Sequence, residues 1–196
     1  MTTEISELLD GAARQAVPVV RGVCDDQLGE PTPCADYTVR ELLNHLFHVV
    51  VGFQALAAKK EVDFSSTPDY LGRYADDWRD RFAAETERLV EAWAAPGADE
   101  GTAGGMGLPA RSLGNMVLLD LTVHAWDLAR ATGREFAPGD EARVRGLRKP
   151  VEQMAPTARE MKVFGEPFPV PEGAPDFDLL LSVTGRDPGW SPPAGA

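Results

Sequence analysis

Apolar residues recur at helical spacing along most of the chain, and no stretch alternates convincingly enough to predict a strand. Ile5, Leu8, Leu9, Ala12, Ala16 and Val19 trace one face and predict a helix over residues 4 to about 20. Pro18 lies late in it, where it can bend or end the helix. The connector "CDDQLGEPTPCADY" follows, with Pro31 and Pro33 as breakers. At Thr38 the tetrad "TVRE" reads as a capping box: the Thr38 hydroxyl can accept the Glu41 amide while the Glu41 side chain reaches back. The helix it opens runs to about residue 60. Leu42, Leu43, Leu46, Val49, Val50, Phe53 and Leu56 form its apolar face.

A third helix is predicted from about residue 68 to 94, with Tyr70, Leu71, Tyr74, Trp78, Phe82, Leu89, Val90 and Trp93 on its apolar side. The glycine-rich connection "APGADEGTAGGMGLPA" is expected to form a flexible loop over the mouth of the bundle. It lacks the Gly-Lys-Ser/Thr end of a phosphate-binding loop. Arg111, near its end, reads as an ordinary surface arginine. A fourth helix runs from about residue 113 to 132, closed by Gly133. A fifth helical segment over 140 to 162, an extended proline-rich stretch and a short last helix in "DFDLLLSVTGRDP" complete the chain. The expected fold is an all-α four-helix bundle over residues 1–135, a helical extension over 136–190 packed on it, and a loose tail over 191–196.

The fourth helix does not fit a simple surface helix. Its apolar residues go most of the way round, yet Asp120, His124 and Asp127 form a narrow polar stripe flanked by Met116 and Val123 on one side and Leu121 and Leu128 on the other. A solvated face would be broader and would carry lysine, arginine or glutamate. A buried polar stripe needs partners. Asp120 and His124 are four residues apart, so they point the same way one turn apart, which suits two ligands on one cation. Asp127, three beyond His124, suits either a further ligand or an acceptor that orients the imidazole. On the second helix His45 sits at the boundary of the apolar face, where it can face the stripe, while His48 leans toward solvent or a neighbouring element. Two imidazoles and a carboxylate with open positions make a catalytic kind of metal site. Spacing alone leaves a second reading open, a core histidine hydrogen-bonded to a buried aspartate.

Composition narrows the field of partners. The chain has 196 residues and a formal net charge of −12, which disfavours nucleic acid and anionic membrane surfaces. The start carries no signal-peptide pattern, and the apolar runs are too short to span a bilayer. With two cysteines, Cys24 and Cys34, the expectation is a cytoplasmic protein with free thiols. Cys34 precedes the second helix, where a thiolate would feel the helix N-terminus; the plainer reading is a small buried thiol near a turn. Trp78, Trp93 and Trp126 read as core or interface aromatics, and no serine sits in a nucleophile elbow.

"PTPCADYTVRELLNHL", "HAWDLARATG" and "LLLSVTGRDPGW", in this order, resemble the DinB/YfiT-like superfamily, in the branch related to the N-terminal domain of mycothiol-dependent maleylpyruvate isomerase. The likeness extends from the first helix to Trp190. It implies a DinB-like four-helix bundle holding a divalent metal, zinc foremost and nickel next. The ligands it implies are His45, Asp120 and His124. Asp120 departs from the family's glutamate by one methylene; closer helices, ligation through water or a different metal preference would accommodate it. The resemblance further implies mycothiol as cofactor, a small-molecule substrate, and a transferase or isomerase reaction of that thiol. It also makes a homodimer an expectation. Two other functions stay open: a metal-binding or small-ligand-binding module without turnover, and a structural bundle with a buried His–Asp network.

Overall fold

The computed structural model describes residues 4–105 and 107–193. Seven α-helices are seen among them: α1 (Glu4–Gly22), α2 (Val39–Ala57), α3 (Tyr70–Tyr74), α4 (Trp78–Ala94), α5 (Ala110–Ala131), α6 (Glu141–Glu160) and α7 (Asp176–Val183). The bundle is built from α1, α2, α4 and α5. Both α1 and α2 pack against both α4 and α5, so α1 and α2 occupy opposite corners. The connector between them therefore crosses the end of the bundle. Its Gln27 side chain donates to the Thr132 carbonyl at the end of α5. α6 packs on α5 and on α7. This second layer explains why α5 is apolar nearly all round: one side meets the bundle, the other meets the extension. Leu118, Leu119, Val123 and Trp126 are all buried.

α2 begins as the sequence predicts. The Glu41 amide donates to Thr38 Oγ1, and the Thr38 amide donates to Glu41 Oε2 at 2.8 Å. Gly133, just beyond α5, adopts φ 67°, the left-handed conformation that glycine takes at a helix end. Pro18 stays inside α1, and α6 carries both Pro150 and Pro156.

The predicted third helix is two. α3 is capped by Asp69, whose carboxylate accepts the Gly72 amide, and the chain turns at Ala75 with φ 46° before α4 starts at Trp78. Tyr74, Trp78 and Phe82 keep a spacing of four residues across the break, which hides it in the pattern. The turn lets Tyr70 and Tyr74 lie against Phe47, at ring separations of 5.3 and 5.8 Å. A two-residue antiparallel ribbon, Thr102–Ala103 with Leu108–Pro109, was also not foreseen; it is too short to alternate. No helix among the described residues is long and apolar enough to cross a membrane. Of the expected tail, residues 191–193 are exposed and without regular structure, and 194–196 lie outside the described residues. Trp190 just before it is held, its carbonyl accepting from Arg130 Nε at 3.0 Å.

α1 and α5 approach closely at Gly114. A Cβ there would stand 2.8 Å from Ile5 Cγ2 and 3.2 Å from the Trp93 ring. Gly114→Ala is therefore expected to lower stability by about 1–3 kcal/mol, against the gain alanine usually brings inside a helix. Urea denaturation checks this; an alanine variant as stable as the parent would show that the helices can part without cost.

Candidate metal centre and its cavity

The capping box sets where α2 starts, and that places His45 two turns in, at the site end of the bundle. There its ring meets the His124 ring edge-on, centroids 5.1 Å apart and planes at 87°. Tyr37 of the connector stacks on the other face of His45 at 5.3 Å. His124 Nε2 lies 3.7 Å from Asp120 Oδ1. One donor atom from each of His45, Asp120 and His124 can be chosen so that all three lie within 4.8 Å of one another. The structure thus brings together the three residues that the sequence singles out.

Asp127 sits behind them. Its Oδ2 is 3.0 Å from His124 Nδ1 and 3.2 Å from Arg186 Nη2. The Asp127 side chain is wholly buried and that of Arg186 is 9% exposed, so each charge depends on the other. Arg186 also donates to the Thr184 carbonyl at 2.9 Å. With Nδ1 bonded to a carboxylate, the imidazole turns Nε2 toward Asp120 and His45.

The donors line a cavity of about 320 Å³. α2 and α5 supply His45, Leu119, Asp120, Val123 and His124. The connector adds Cys34, Asp36 and Tyr37. Lys162, Val163, Phe164, Thr184 and Arg186 of the extension form the remaining wall. The sequence reading missed this wall, because its residues come from irregular segments far along the chain. The "TGR" of the closing motif was the only signal for Arg186.

Two expectations need correction. The glycine-rich connection does not cover this mouth: Gly104 approaches Leu56, which lies eleven residues, roughly 16 Å, further along α2 than His45. It closes the opposite end of the bundle. Cys34 is more than a thiol near a turn, since it lines the cavity. Burial, rather than the helix N-terminus, governs it and pushes the thiol up to about 11, with Arg186 opposing the rise. His48 faces a neighbouring element, as expected: its ring nitrogens meet the Tyr70 hydroxyl at 3.2 Å and the Asp63 carbonyl at 3.1 Å. Arg111 pairs with Glu4 and is the surface arginine expected.

Burial also dominates the electrostatics of the donors. It pushes the His45 imidazolium down to about 3, helped by His124, His48 and Arg186. It raises the Asp120 carboxyl, with His124 and Arg186 opposing. Both histidine and aspartate are thereby biased to their neutral forms in the metal-free protein. For His45 the unfolded chain binds a proton between about 3 and 6.5 that the folded chain refuses. That contribution to stability is present above 6.5 and lost as pH falls toward 3. Asp120 works the other way, its contribution being lost as pH rises through its folded value. The melting temperature of metal-free protein should fall on acidification through this window, and less steeply in His45→Gln. Equal slopes would assign the acid sensitivity to other groups.

Comparison with known proteins agrees with this architecture. The family model for the mycothiol maleylpyruvate isomerase N-terminal domain matches residues 9–129. Two uncharacterized proteins of Mycobacterium tuberculosis, from two strains, are each 31% identical over 169 residues, covering 82% of this chain and 86% of theirs. Among solved structures, mycothiol-dependent maleylpyruvate isomerase aligns with a TM-score of 0.55 at 17% identity, over 83% of this chain and 72% of that one. A histidine-to-alanine mutant of the same enzyme gives 0.53 at 16%, over 78% of this chain and 66%, just under two thirds, of that one. These two likenesses establish a shared fold. With 121 of its 196 residues matched by the family model, the chain belongs to the mycothiol maleylpyruvate isomerase N-terminal domain family.

Proposed function

We propose that the protein holds a divalent metal, zinc or nickel, on His45, Asp120 and His124, and uses it for transfer or isomerisation chemistry of a mycothiol-type thiol on a small organic molecule. The observation that carries this reading is the meeting of two imidazoles and a carboxylate on the wall of a 320 Å³ cavity. The donor set fits a borderline metal with open positions. The His45 imidazole, kept neutral by burial, offers a lone pair at neutral pH. Burial raises the Asp120 carboxyl, so protons would compete with a cation there and metal affinity falls as pH falls. The thiol cofactor rests on the family and on the name of the solved relative, which depends on mycothiol.

When bound, the metal supplies a Lewis acid that favours the thiolate of an incoming thiol. The chain's own residues do the rest. Asp127 holds the Nδ1 proton of His124 and keeps Nε2 directed at the donor cluster. Arg186 balances the Asp127 charge at 3.2 Å. Leu119, Val123, Val163 and Phe164 line the cavity with apolar surface, which limits water around a reacting thiolate.

Metal content by plasma mass spectrometry on untagged protein tests the reading, together with a thiol-dependent substrate screen. About one metal per chain, lost in His45→Ala, with turnover that requires the thiol, is the expected result. Metal without thiol-dependent turnover would reduce the protein to a binding module. Folded protein that takes up neither zinc nor nickel would leave a buried His–Asp network.

A further inference from the structure

α1 and α6 both pack on α5 but hardly on each other, and the wedge between them holds a second cavity of about 180 Å³. It shares no lining residue with the metal cavity: Leu118 and Thr122 of α5 line this one, Leu119 and Val123 the other. Its inner surface is apolar. Leu118, Val144 and Leu147 are buried, and Leu8, Ala12 and Phe136 pack against the core beside them. The Thr122 hydroxyl proton is committed to the Leu118 carbonyl at 2.7 Å. The polar groups stand at the rim. They are Gln15, Arg14 and Arg143, the two arginine side chains being 76% and 56% exposed.

The rim guanidinia keep donors to spare. Asp140 caps α6 by accepting the Arg143 amide at 2.9 Å, and its other oxygen lies 3.1 Å from Arg143 Nε. Neither Nη of Arg143 has an acceptor among the described residues. Arg14 turns Nε and Nη2 to a single oxygen of Asp10, at 3.0 and 2.8 Å. α1 makes room for the Arg143 fork. A Cβ on Gly11 would stand 2.7 Å from Arg143 Nη1, so a glycine inside the helix, ordinarily destabilising, lets the guanidinium lie across it. Charge is also locally reversed. Two open hollows adjoin the cavity through Gln15 and Phe136, and the described residues lining all three include Arg14, Arg130, Arg134 and Arg143 but only one acid, Glu135. Counting Asp10 and Asp140 as well leaves one positive charge in excess, on a chain of net −12.

We propose that this wedge is a separate binding site for a small monocarboxylate carrying one apolar group, about the size of benzoate. An enclosed apolar cavity of about 150 Å³ holds a benzene ring, so this one takes a ring or a short branched chain and leaves the carboxylate at the mouth. The free Nη pair of Arg143 is the fork that a carboxylate matches with two parallel hydrogen bonds. Gln15 and the free Nη1 of Arg14 are further donors at the same rim. An apolar interior with a few convergent polar groups is the usual construction of a small-molecule site. Its occupation is independent of whether the protein holds a metal.

The test is a titration of the isotope-labelled full chain with benzoate, followed by amide chemical shifts, with benzyl alcohol as the uncharged probe of similar shape. Saturable binding with a Kd on the order of 0.1–1 mM is expected, with shifts centred on Gly11, Thr122 and Gly139. Benzyl alcohol should bind about tenfold more weakly or worse, and Arg143→Gln should weaken benzoate by about tenfold. Ala12→Leu should fill the cavity and abolish binding. His45→Ala should change nothing, which separates this site from the metal cavity. No saturable binding of benzoate would overturn the proposal, as would equal affinity for benzyl alcohol, an unchanged Kd in Arg143→Gln, or shifts centred on Asp120 and His124. Thermal melts of Arg143→Gln and Ala12→Leu separate loss of a site from loss of fold.

Discussion

His124→Ala is expected to strip the protein of zinc and of thiol-dependent turnover together. The ring faces Asp120 and His45 with one nitrogen and Asp127 with the other. Its loss takes a ligand from the donor set and leaves Asp127 with Arg186 alone. Metal content should fall from about one per chain to background, and turnover with it. The fold should survive, because the lost interaction is one buried hydrogen bond, worth about 1–3 kcal/mol when its partner is stranded. Asp127→Asn makes the finer comparison. It keeps the shape but weakens the hold on Nδ1, so zinc affinity should fall by about 10- to 100-fold without vanishing. Equilibrium competition with a chromogenic chelator measures both. Retention of zinc by His124→Ala would remove the His45–Asp120–His124 donor set from consideration, whatever the activity.

Arg186→Met carries the largest expected penalty in stability. It leaves the Asp127 carboxylate enclosed without a counter-charge, a situation that costs about 3–5 kcal/mol. For a domain of this size that corresponds to a fall in Tm on the order of 10 °C. The comparison is made on metal-free protein, since a bound cation would mask part of the deficit. The double variant Asp127→Asn, Arg186→Met should recover most of the loss, because the stranded charge is gone. A single variant that melts within about 2 °C of the parent would mean that the carboxylate finds water or a proton at little cost.

The donors were legible in the sequence because they lie on regular helices. The spacing of Asp120, His124 and Asp127 and the phase of His45 are consequences of 3.6 residues per turn, and the capping box at Thr38 sets where that count begins. The wall was not legible. Cys34, Tyr37, Lys162 and Arg186 lie on a connector, a turn and the residues after α7, where no period relates position to direction. The end of the bundle covered by the glycine-rich connection was misplaced for a related reason. Hydrophobic phase reports which face of a helix is buried, not which end lies beside a neighbour's start. The break at Ala75 escaped because Tyr74, Trp78 and Phe82 stay in phase across it.

The cavity is assembled from two parts of the chain that answer to different constraints. The floor lies on bundle helices, whose core leaves little latitude. Lys162, Val163 and Phe164 of the wall follow α6 in an open turn, with Val163 64% exposed, so their side chains can change without disturbing a ligand. Lineages sharing this bundle are thus able to vary the turn while the His45–Asp120–His124 cluster stays in place. Arg186 is the exception. It belongs to the wall by position but is tied through Asp127 to the floor, and selection would treat it as one of the floor's own residues.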